Sequence, residues 1–454
     1  MQYNKLKKKP FYHCMIKRLF FFTLLTAVLM AACKDNDSFS ASSSLRLTFS
    51  ADTLRIDTVF SESPSATYSF WVFNNSGDGL RISSVRLERG NQTGFRVNAD
   101  GQFLNPVATD IEIRKGDSIR VFVELTARVN NSPDPRPIED RLVFSLQSGV
   151  EQSVALLASS WDARRMNSLV VRRDTVIESA NPIIFTGDSI VVERGATLTL
   201  RNTTLYFHDG TGMLVRGRLI ADSCVLRGDR LDHMFDYLPY DRVSGQWPGI
   251  RIAANAEGCQ LTDCEIRNAF SGIVCDSSSV ELTRCTIHNS RGHGLHATDS
   301  RVVLRDCMLT NTLMDCLALH GCQAEVTGCT LAQFYPFTAP RGAALRFAQT
   351  SHPTRLDFTN VLVTGYEDDV LMGEERKDSM MDYRFRNCIL RTPEVTTDTI
   401  GFRDIIWETP KDSVQGKQHF LTVDEENLIY NFQLDSISPA LQRGIGCILP
   451  QTKQ

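Results

Sequence analysis

A six-residue pattern that recurs about every 22 residues constrains the fold of this chain more than any other feature. In most copies an apolar residue stands first, a cysteine fourth and an apolar residue sixth. The copies are Leu261–Ile266, Leu282–Ile287, Leu304–Leu309, Val326–Leu331, Phe358–Val363 and Phe385–Leu390. The first four cysteines are 21, 22 and 22 residues apart, and the next two steps, of 32 and 27, indicate loop insertions. A second ladder with the same period comprises Ile273, Leu295, Leu317 and Leu345.

This period predicts an all-β solenoid. Short β runs with Asn, Asp and Gly at the corners are typical of a right-handed parallel β-helix. Each rung buries alternate side chains and stacks on the next at ~4.8 Å, because one rung cannot bury its apolar face alone. We expect the solenoid to span residues 163–454, with an insertion at about 227–247 and a C-terminal cap.

The positions of the cysteines follow from the stacking of the rungs. Eleven of the thirteen lie in the predicted solenoid, and Cys264, Cys285, Cys307 and Cys329 share one rung position. A ladder of small buried side chains is the expected arrangement. A disulfide between rungs is an alternative. A metal site is not expected, because no converging CxxC pair occurs.

Residues 45–162 have a different period. Short alternating runs such as Tyr68–Phe73 and Ile119–Leu125 are separated by turn signals, which predicts an Ig-like antiparallel β-sandwich of about seven strands. The segment contains no cysteine and no histidine, so no catalytic group stands out. We expect it to act as a spacer or adhesion domain, with a ligand groove as the alternative.

The N-terminus predicts an export signal. Six bases and no acid lie in residues 1–32, where a basic stretch precedes an apolar run from Leu19 to Ala32. This run of fourteen residues, all apolar except Thr23 and Thr26, is too short for a membrane-spanning helix but suits a signal peptide. The segment Leu29–Cys33 resembles a bacterial lipobox, in which Cys33 becomes the lipidated first residue. A plain secretory signal is the alternative.

The residues after the cysteine extend this interpretation. Lys34–Asp37 resembles the short signal that sends lipoproteins of Bacteroidetes to the outer face of the outer membrane, although an ordinary charged linker would look alike. Residues 33–44 would be the lipidated cysteine and a Ser-rich tether. Without residues 1–32 the chain has 43 bases and 53 acids, which argues against nucleic-acid binding.

The solenoid also resembles a known class of proteins. Ile190–Leu198 and Leu214–Leu219 are similar to the opening rungs of pectin-lyase-like β-helix proteins, and Leu434–Gly444 resembles their closing segment. With the lipobox and the sandwich, the chain resembles uncharacterised β-helix surface lipoproteins of gut Bacteroidetes. The resemblance implies an architecture and no activity, because this fold carries lyases, hydrolases, adhesins and inert spikes.

The insertion is the best candidate ligand site, because it concentrates aromatic and charged residues. Aromatic rings suit the apolar faces of sugars, and Asp or Arg suits their hydroxyl or carboxylate groups. A structural loop is the alternative. The candidate residues are Asp229, Asp232, Asp236, Tyr237, Tyr240, Asp241, Arg242 and Trp247.

Catalytic motifs are weak. Gly292-His293-Gly294 matches a triplet of polygalacturonase-like hydrolases, but the only plausible acidic pair, Asp368-Asp369, comes later instead of earlier. His293 and His296 are expected on different faces of a strand, which argues against a metal site. No lysine lies between Lys115 and Lys377, so a lyase with a lysine base is not expected on the rungs.

These observations predict a lipid-anchored surface protein that is a structural or glycan- or matrix-binding platform. The sequence leans away from an enzyme without excluding one. The alternative is a polysaccharide lyase or glycoside hydrolase on the β-helix, and only a lyase would call for Ca²⁺. No other cofactor is expected. The expected partners are the outer membrane, through the lipid, and a polysaccharide or host matrix.

Overall fold

The computed structural model describes residues 38–235, 237–375 and 381–448. The predicted lipidation site Cys33 and the candidate Asp236 lie outside these residues. The chain divides into two compact units. Among the described residues, the first contains 38–54, Thr67–Glu124 and Glu139–Leu156, and the second contains Arg55–Ala66, Leu125–Ile138 and those from Leu157 to 448.

The N-terminal part contains ten strands among its described residues. They are β1 (Thr48–Phe49), β2 (Thr53–Phe60), β3 (Tyr68–Phe73), β4 (Leu80–Leu87), β5 (Phe95–Ala99), β6 (Gln102–Phe103), β7 (Val107–Ile113), β8 (Ser118–Leu125), β9 (Arg136–Leu146) and β10 (Glu151–Trp161).

These strands form two five-stranded sheets, in the orders β1-β3-β8-β5-β6 and β2-β10-β9-β4-β7. The pairs β3–β8 and β4–β7 are antiparallel. Phe70 of the first sheet meets Phe144 of the second, with ring centroids 6.4 Å apart. The predicted sandwich is therefore confirmed. It has more strands than the seven expected, because two-residue strands such as β6 leave no alternation to detect.

The solenoid follows, with a C-terminal hairpin and one short helix. Its elements are β11 (Arg164–Met166), β12 (Leu169–Val171), β13 (Thr175–Glu178), β14 (Ile183–Phe185), β15 (Ile190–Val192), β16 (Thr197–Arg201), β17 (Thr204–Phe207), β18 (Met213–Val215), β19 (Arg218–Asp222), β20 (Val225–Gly228), β21 (His233–Phe235), β22 (Leu238–Pro239), β23 (Ile250–Ile252), β24 (Gly258–Thr262), β25 (Glu265–Arg267), β26 (Ile273–Asp276), β27 (Ser279–Thr283), β28 (Thr286–Ser290), β29 (Leu295–Thr298), β30 (Arg301–Arg305), β31 (Met308–Thr312), β32 (Leu317–His320), β33 (Gln323–Thr327), β34 (Thr330–Gln333), β35 (Leu345–Ala348), β36 (Arg355–Thr359), β37 (Leu362–Gly365), β38 (Leu371–Glu374), β39 (Asp382–Arg386), β40 (Ile389–Leu390), β41 (Phe402–Arg403), β42 (Ile406–Trp407), β43 (Phe420–Asp424), β44 (Ile429–Leu434) and α1 (Pro439–Arg443). Two 3₁₀ turns lie at Tyr240–Arg242 and Gly416–His419.

Three long parallel sheets form the solenoid. Sheet 1 has the order β11-β14-β17-β20-β25-β28-β31-β34-β37-β40-β42, sheet 2 has β12-β15-β18-β23-β26-β29-β32-β35-β38, and sheet 3 has β13-β16-β19-β24-β27-β30-β33-β36-β39-β41. Leu261 of the first repeat pairs with Leu282, and the register continues in step to Phe385. The second ladder, Ile273 to Leu345, is also in register. The repeat alignment made from the sequence is confirmed.

The ladder cysteines lie inside the solenoid. Cys264, Cys285, Cys307 and Cys329 are each at most 2% exposed and unbridged. They stack within a core of Leu, Ile, Val and Phe side chains, which includes the parallel rings of Phe358 and Phe385 at 4.5 Å. The predicted ladder of buried cysteines is confirmed.

Each ladder cysteine follows a sharp corner between sheets 3 and 1. The residue before it has a left-handed backbone, with φ of 51° at Asp263, 53° at Asp306 and 63° at Gly328. Asp, Asn and Gly tolerate this conformation best, which explains why they occur there. Arg284 is an exception, and its guanidinium makes two hydrogen bonds to the Asp263 carboxylate, at 2.7 and 2.6 Å.

The Gly-His-Gly triplet has a packing explanation. At Gly294 an added Cβ would lie 2.5 Å from the carbonyl oxygen of Cys316 on the next rung. At Gly292 it would lie 2.5 Å from the Ser271 hydroxyl and 2.9 Å from the Phe270 carbonyl. Both glycines are therefore required because neighbouring rungs approach closely at these positions. The triplet does not need a catalytic explanation.

We predict that Gly294→Ala destabilises the solenoid by about 1–3 kcal/mol, since the new methyl group must displace the backbone of the next rung. Thermal unfolding followed by circular dichroism measures the change. Gly77→Ala is the control, because nothing lies within 4 Å of an added Cβ there and its φ is not left-handed. Equal melting temperatures for both variants would contradict the explanation.

No helix in the described ranges is long and apolar enough to cross a membrane.

Candidate functional site

The outer face of sheet 1 carries a polar cleft of about 930 Å³. Its floor consists of outward-facing residues of β20, β25, β28 and β31. One column of the floor contains Glu265, Thr286 and Met308, and the next contains Arg267, His288 and Thr310. A cleft of this size is in the usual range for a small-molecule or oligosaccharide site.

Two segments outside the repeat form the walls. The 3₁₀ turn Tyr240–Arg242 of the insertion contributes Asp241 and Arg242 on one side, and the hairpin β43–β44 contributes residues 428–433 on the other. The walls meet where the Arg242 guanidinium donates a hydrogen bond to the Asn427 carbonyl. The hairpin is held over the sheet by its own apolar side, because Phe420 and Phe432 pack against Phe334.

Each acid in the cleft pairs with an arginine, whereas the guanidinium of Arg242 donates to the Asn427 carbonyl. Asp241 lies between two arginines on successive rungs, 2.9 Å from Arg227 and 3.4 Å from Arg267. Glu265 also contacts Arg267, at 3.3 Å. Burial, together with the nearby Arg267, lowers the pKa of Arg227. The lining has three acids and three arginines, so the cleft has no net charge when His288 is neutral.

His288 is neutral at pH 7. Burial and the charge of Arg267 lower its pKa to about 4. Its Nδ1 lies 2.9 Å from the Thr310 hydroxyl, and the rings of Tyr430 and Phe432 are about 6 Å away. It therefore contributes a polar but uncharged ring to the floor.

The Tyr430 hydroxyl is buried and has no hydrogen-bond partner among the described residues. Burial and the nearby Glu425 raise its pKa, so it remains protonated. A buried hydroxyl without a partner costs free energy that a ligand atom can recover. This group is therefore the one in the cleft that most directly indicates a polar ligand.

Only part of the predicted site lies in this cleft. Asp241 and Arg242 line it. Tyr237 is 76% exposed and stacks on Phe235 at 5.6 Å, so its ring remains free for a ligand outside the cleft. The Tyr240 ring lies under the guanidinium of Arg230, at 4.2 Å.

Three candidates have structural roles instead. The prediction for Trp247 is wrong, because its side chain is 1% exposed and stacks on Phe207 at 4.3 Å in the solenoid core. Asp232 is buried in an ion pair with Arg230, and Asp229 pairs with His208 at 2.8 Å. The tryptophan was misjudged because the end of the insertion already belongs to the next rung.

Sequence analysis missed most of the cleft. Glu265, Arg267 and His288 occupy outward positions of the repeat, and their spacing of about 22 residues could have placed them in neighbouring columns. No sequence pattern around Tyr430 indicated a binding site, because the hairpin reaches the cleft only through long-range packing.

A second polar cluster lies in the C-terminal cap. The His419 ring is 2.8 Å from the Ser438 hydroxyl at Nδ1 and 3.0 Å from the Glu408 carboxylate at Nε2. The arrangement of Ser438, His419 and Glu408 resembles the nucleophile, base and acid of a catalytic triad. All three side chains are buried, however, and Ser438 also caps α1 by accepting a hydrogen bond from the Ala440 N–H. No substrate can reach the serine, so the cluster holds the cap in place.

Glu408 is the centre of that cluster. Its carboxylate also accepts hydrogen bonds from Arg391, at 2.5 Å, and from the Gly416 N–H, at 2.6 Å. Burial alone would raise the pKa of Glu408, but the hydrogen bonds from these partners and from His419 outweigh it and lower the pKa below the ordinary 4.5. The ionised form therefore stabilises the fold.

We predict that Glu408→Gln destabilises the protein by about 1.5–3 kcal/mol at pH 7, because Arg391 loses a buried charged hydrogen bond and keeps only the exposed Asp368 as its carboxylate partner. Since the folded-state pKa is lowered, this contribution is complete above pH 4.5 and is lost as the pH falls through the folded-state value. The difference in unfolding free energy between the variant and the wild type should narrow below pH 4.5. Glu426→Gln, at an exposed position of the same segment, is the control.

Comparisons with known proteins agree with the fold. Residues 169–331 and 248–354 match a family model described as a right handed beta helix region. Together with the three parallel sheets, this makes residues 169–354 part of a right-handed parallel β-helix, as the sequence predicted. No curated protein matches the chain.

Likenesses to solved structures are weak. They include a family 123 glycoside hydrolase from Clostridium perfringens (TM-score 0.19, 6% identity, 27% of this chain and 31% of that one). The PapD-like domain 7 of human CEP192 gives a TM-score of 0.18 at 6% identity, over 26% of this chain and 84% of that one. The catalytic unit of a GH87 α-1,3-glucanase from Streptomyces thermodiastaticus gives a TM-score of 0.23 at 10% identity, over 76% of this chain and 90% of that one. The chain spans about a third of the length of the first of these.

Proposed function

We propose that this protein is a lipid-anchored surface protein that binds a neutral glycan in the cleft over sheet 1. The observation that carries the proposal is the unpartnered Tyr430 hydroxyl in a cleft whose carboxylates are each paired with an arginine. A glycan offers many hydroxyl groups that both donate and accept hydrogen bonds, and it can bind such a surface without bringing charge.

The class of glycan follows from the electrostatics. Arg267 already contacts two carboxylates, Asp241 and Glu265, and Arg284 makes two hydrogen bonds to Asp263. A polyuronate would have to displace these acids to reach the guanidinium groups of Arg267 and Arg284, and it would meet their negative charge. Uncharged polysaccharides are therefore the preferred ligands.

Tyr430→Phe is the sharpest test of the cleft. The substitution removes a hydroxyl that has no partner in the free protein, so the melting temperature should stay equal or rise. Binding to a neutral polysaccharide should weaken about two- to tenfold, the value of one neutral hydrogen bond. Affinity electrophoresis of residues 34–454 against a panel of neutral and uronate polysaccharides measures this.

Matched controls separate the cleft from the rest of the solenoid. Glu265→Gln, in the cleft, should weaken binding, whereas Glu281→Gln, on sheet 3, should not, although both acids pair with an arginine. Tyr237→Ala tests the exposed ring of the insertion. Binding that survives both Tyr430→Phe and Glu265→Gln would refute the cleft as the site.

An enzymatic role is the second candidate. Asp241 and Glu265 place two carboxylates against the same guanidinium in one cleft, and glycoside hydrolases use such a pair. The release of reducing ends, followed in the same samples, tests it. Product that disappears in Glu265→Gln would favour the hydrolase, and binding without product would favour the platform.

The proposed lipid anchor rests on the sequence Leu29–Cys33. We predict that Cys33→Ser prevents incorporation of a labelled fatty acid and moves the protein from the membrane fraction to the soluble fraction, because the thioether to the lipid cannot form. Unchanged membrane association of the variant would contradict the proposal.

A further inference from the structure

Three histidine rings lie together on the outer side of sheet 2. His296 belongs to β29, His320 to β32 on the next rung, and His293 precedes β29. The ring of His296 has its centroid 4.7 Å from that of His293 and 5.0 Å from that of His320. The expectation that His293 and His296 face apart is wrong, because His293 lies in the corner before the strand, where strand alternation does not apply.

Two of these rings present nitrogens to one another. His296 Nε2 lies 3.4 Å from His320 Nδ1. Two imidazole nitrogens that each lie ~2.0–2.1 Å from a tetrahedral metal ion are separated by about 3.3–3.4 Å. The residue paired with His296 on the next strand is the buried Ala318. Its small side chain leaves room for the His320 ring to approach the His296 ring.

The charges around the pair do not oppose a cation. The nearby acids are Asp276, which pairs with Arg251 at 3.2 Å, and Asp315, which pairs with Arg346 at 3.0 Å. Each arginine is therefore balanced by a carboxylate. Asp276 pairs in register with Thr298, two residues beyond His296.

We propose that His296 and His320 bind one divalent transition-metal ion such as Zn²⁺. In the described residues no three His, Cys, Asp or Glu side chains already converge on a metal position, so this is a two-imidazole site completed by water. Imidazole ligands favour Zn²⁺, Ni²⁺ or Cu²⁺ over Ca²⁺ or Mg²⁺, which prefer oxygen. The site lies on sheet 2, whereas the glycan cleft lies on sheet 1.

Calorimetric titration of the untagged chain (residues 34–454) with Zn²⁺ at pH 7.5 tests the proposal. We expect one Zn²⁺ per chain in the wild type, and about tenfold or greater loss of affinity in His296→Ala and in His320→Ala. Retention on immobilised Ni²⁺ should fall in the same two variants. A smaller loss in His293→Ala would place that residue beside the site instead of among its ligands.

His352→Ala is the matched control, because His352 is an exposed histidine of the same solenoid that pairs with Asp299 at 3.0 Å. Its Zn²⁺ affinity should equal that of the wild type. Circular dichroism verifies that each variant is folded. Wild-type affinity in both His296→Ala and His320→Ala, or no binding tighter than about 1 mM in the wild type, would overturn the proposal.

Discussion

The structure depends on the in-register stacking of rungs along three parallel sheets. A single rung exposes its inward side chains and cannot bury them alone, so every inward position is tied to the same position on the rungs before and after it. This constraint selects the buried cysteines of the ladder, the left-handed corner residues and the glycines at which neighbouring backbones meet. It also explains why a motif that looks catalytic, Gly292-His293-Gly294, is required by packing.

Stacking leaves the outward positions free, and the chemistry of the protein is found there. Because the repeat returns each column to the same face, polar residues far apart in the chain become neighbours ~4.8 Å apart. Glu265 and Thr286 meet in this way on sheet 1. On sheet 2, His296 and His320 lie in adjacent columns of neighbouring rungs and meet diagonally. Two distinct surfaces thus arise on one rigid scaffold.

A flat sheet is not yet a binding site, and segments outside the repeat make it one. The insertion and the C-terminal hairpin rise on either side of sheet 1 and enclose the cleft between them. The hairpin holds its position through Phe420 and Phe432 and through the buried cluster of Glu408, Arg391 and His419. The residues that resemble a catalytic triad therefore serve the site indirectly, by fixing the wall that carries Tyr430.

The sequence by itself determined the fold of the solenoid, its register and the burial of its cysteines, because a period of about 22 residues records inward positions directly. It also indicated the sandwich, although not its shortest strands. It determined the candidate site only in part. Asp241 and Arg242 were found, but Trp247 was assigned to the surface, since composition does not show where an insertion rejoins a rung. Tertiary structure alone decided which columns the two walls enclose and that His293 and His296 lie together. Both outcomes depend on contacts between residues distant in the chain, for which local patterns contain no signal.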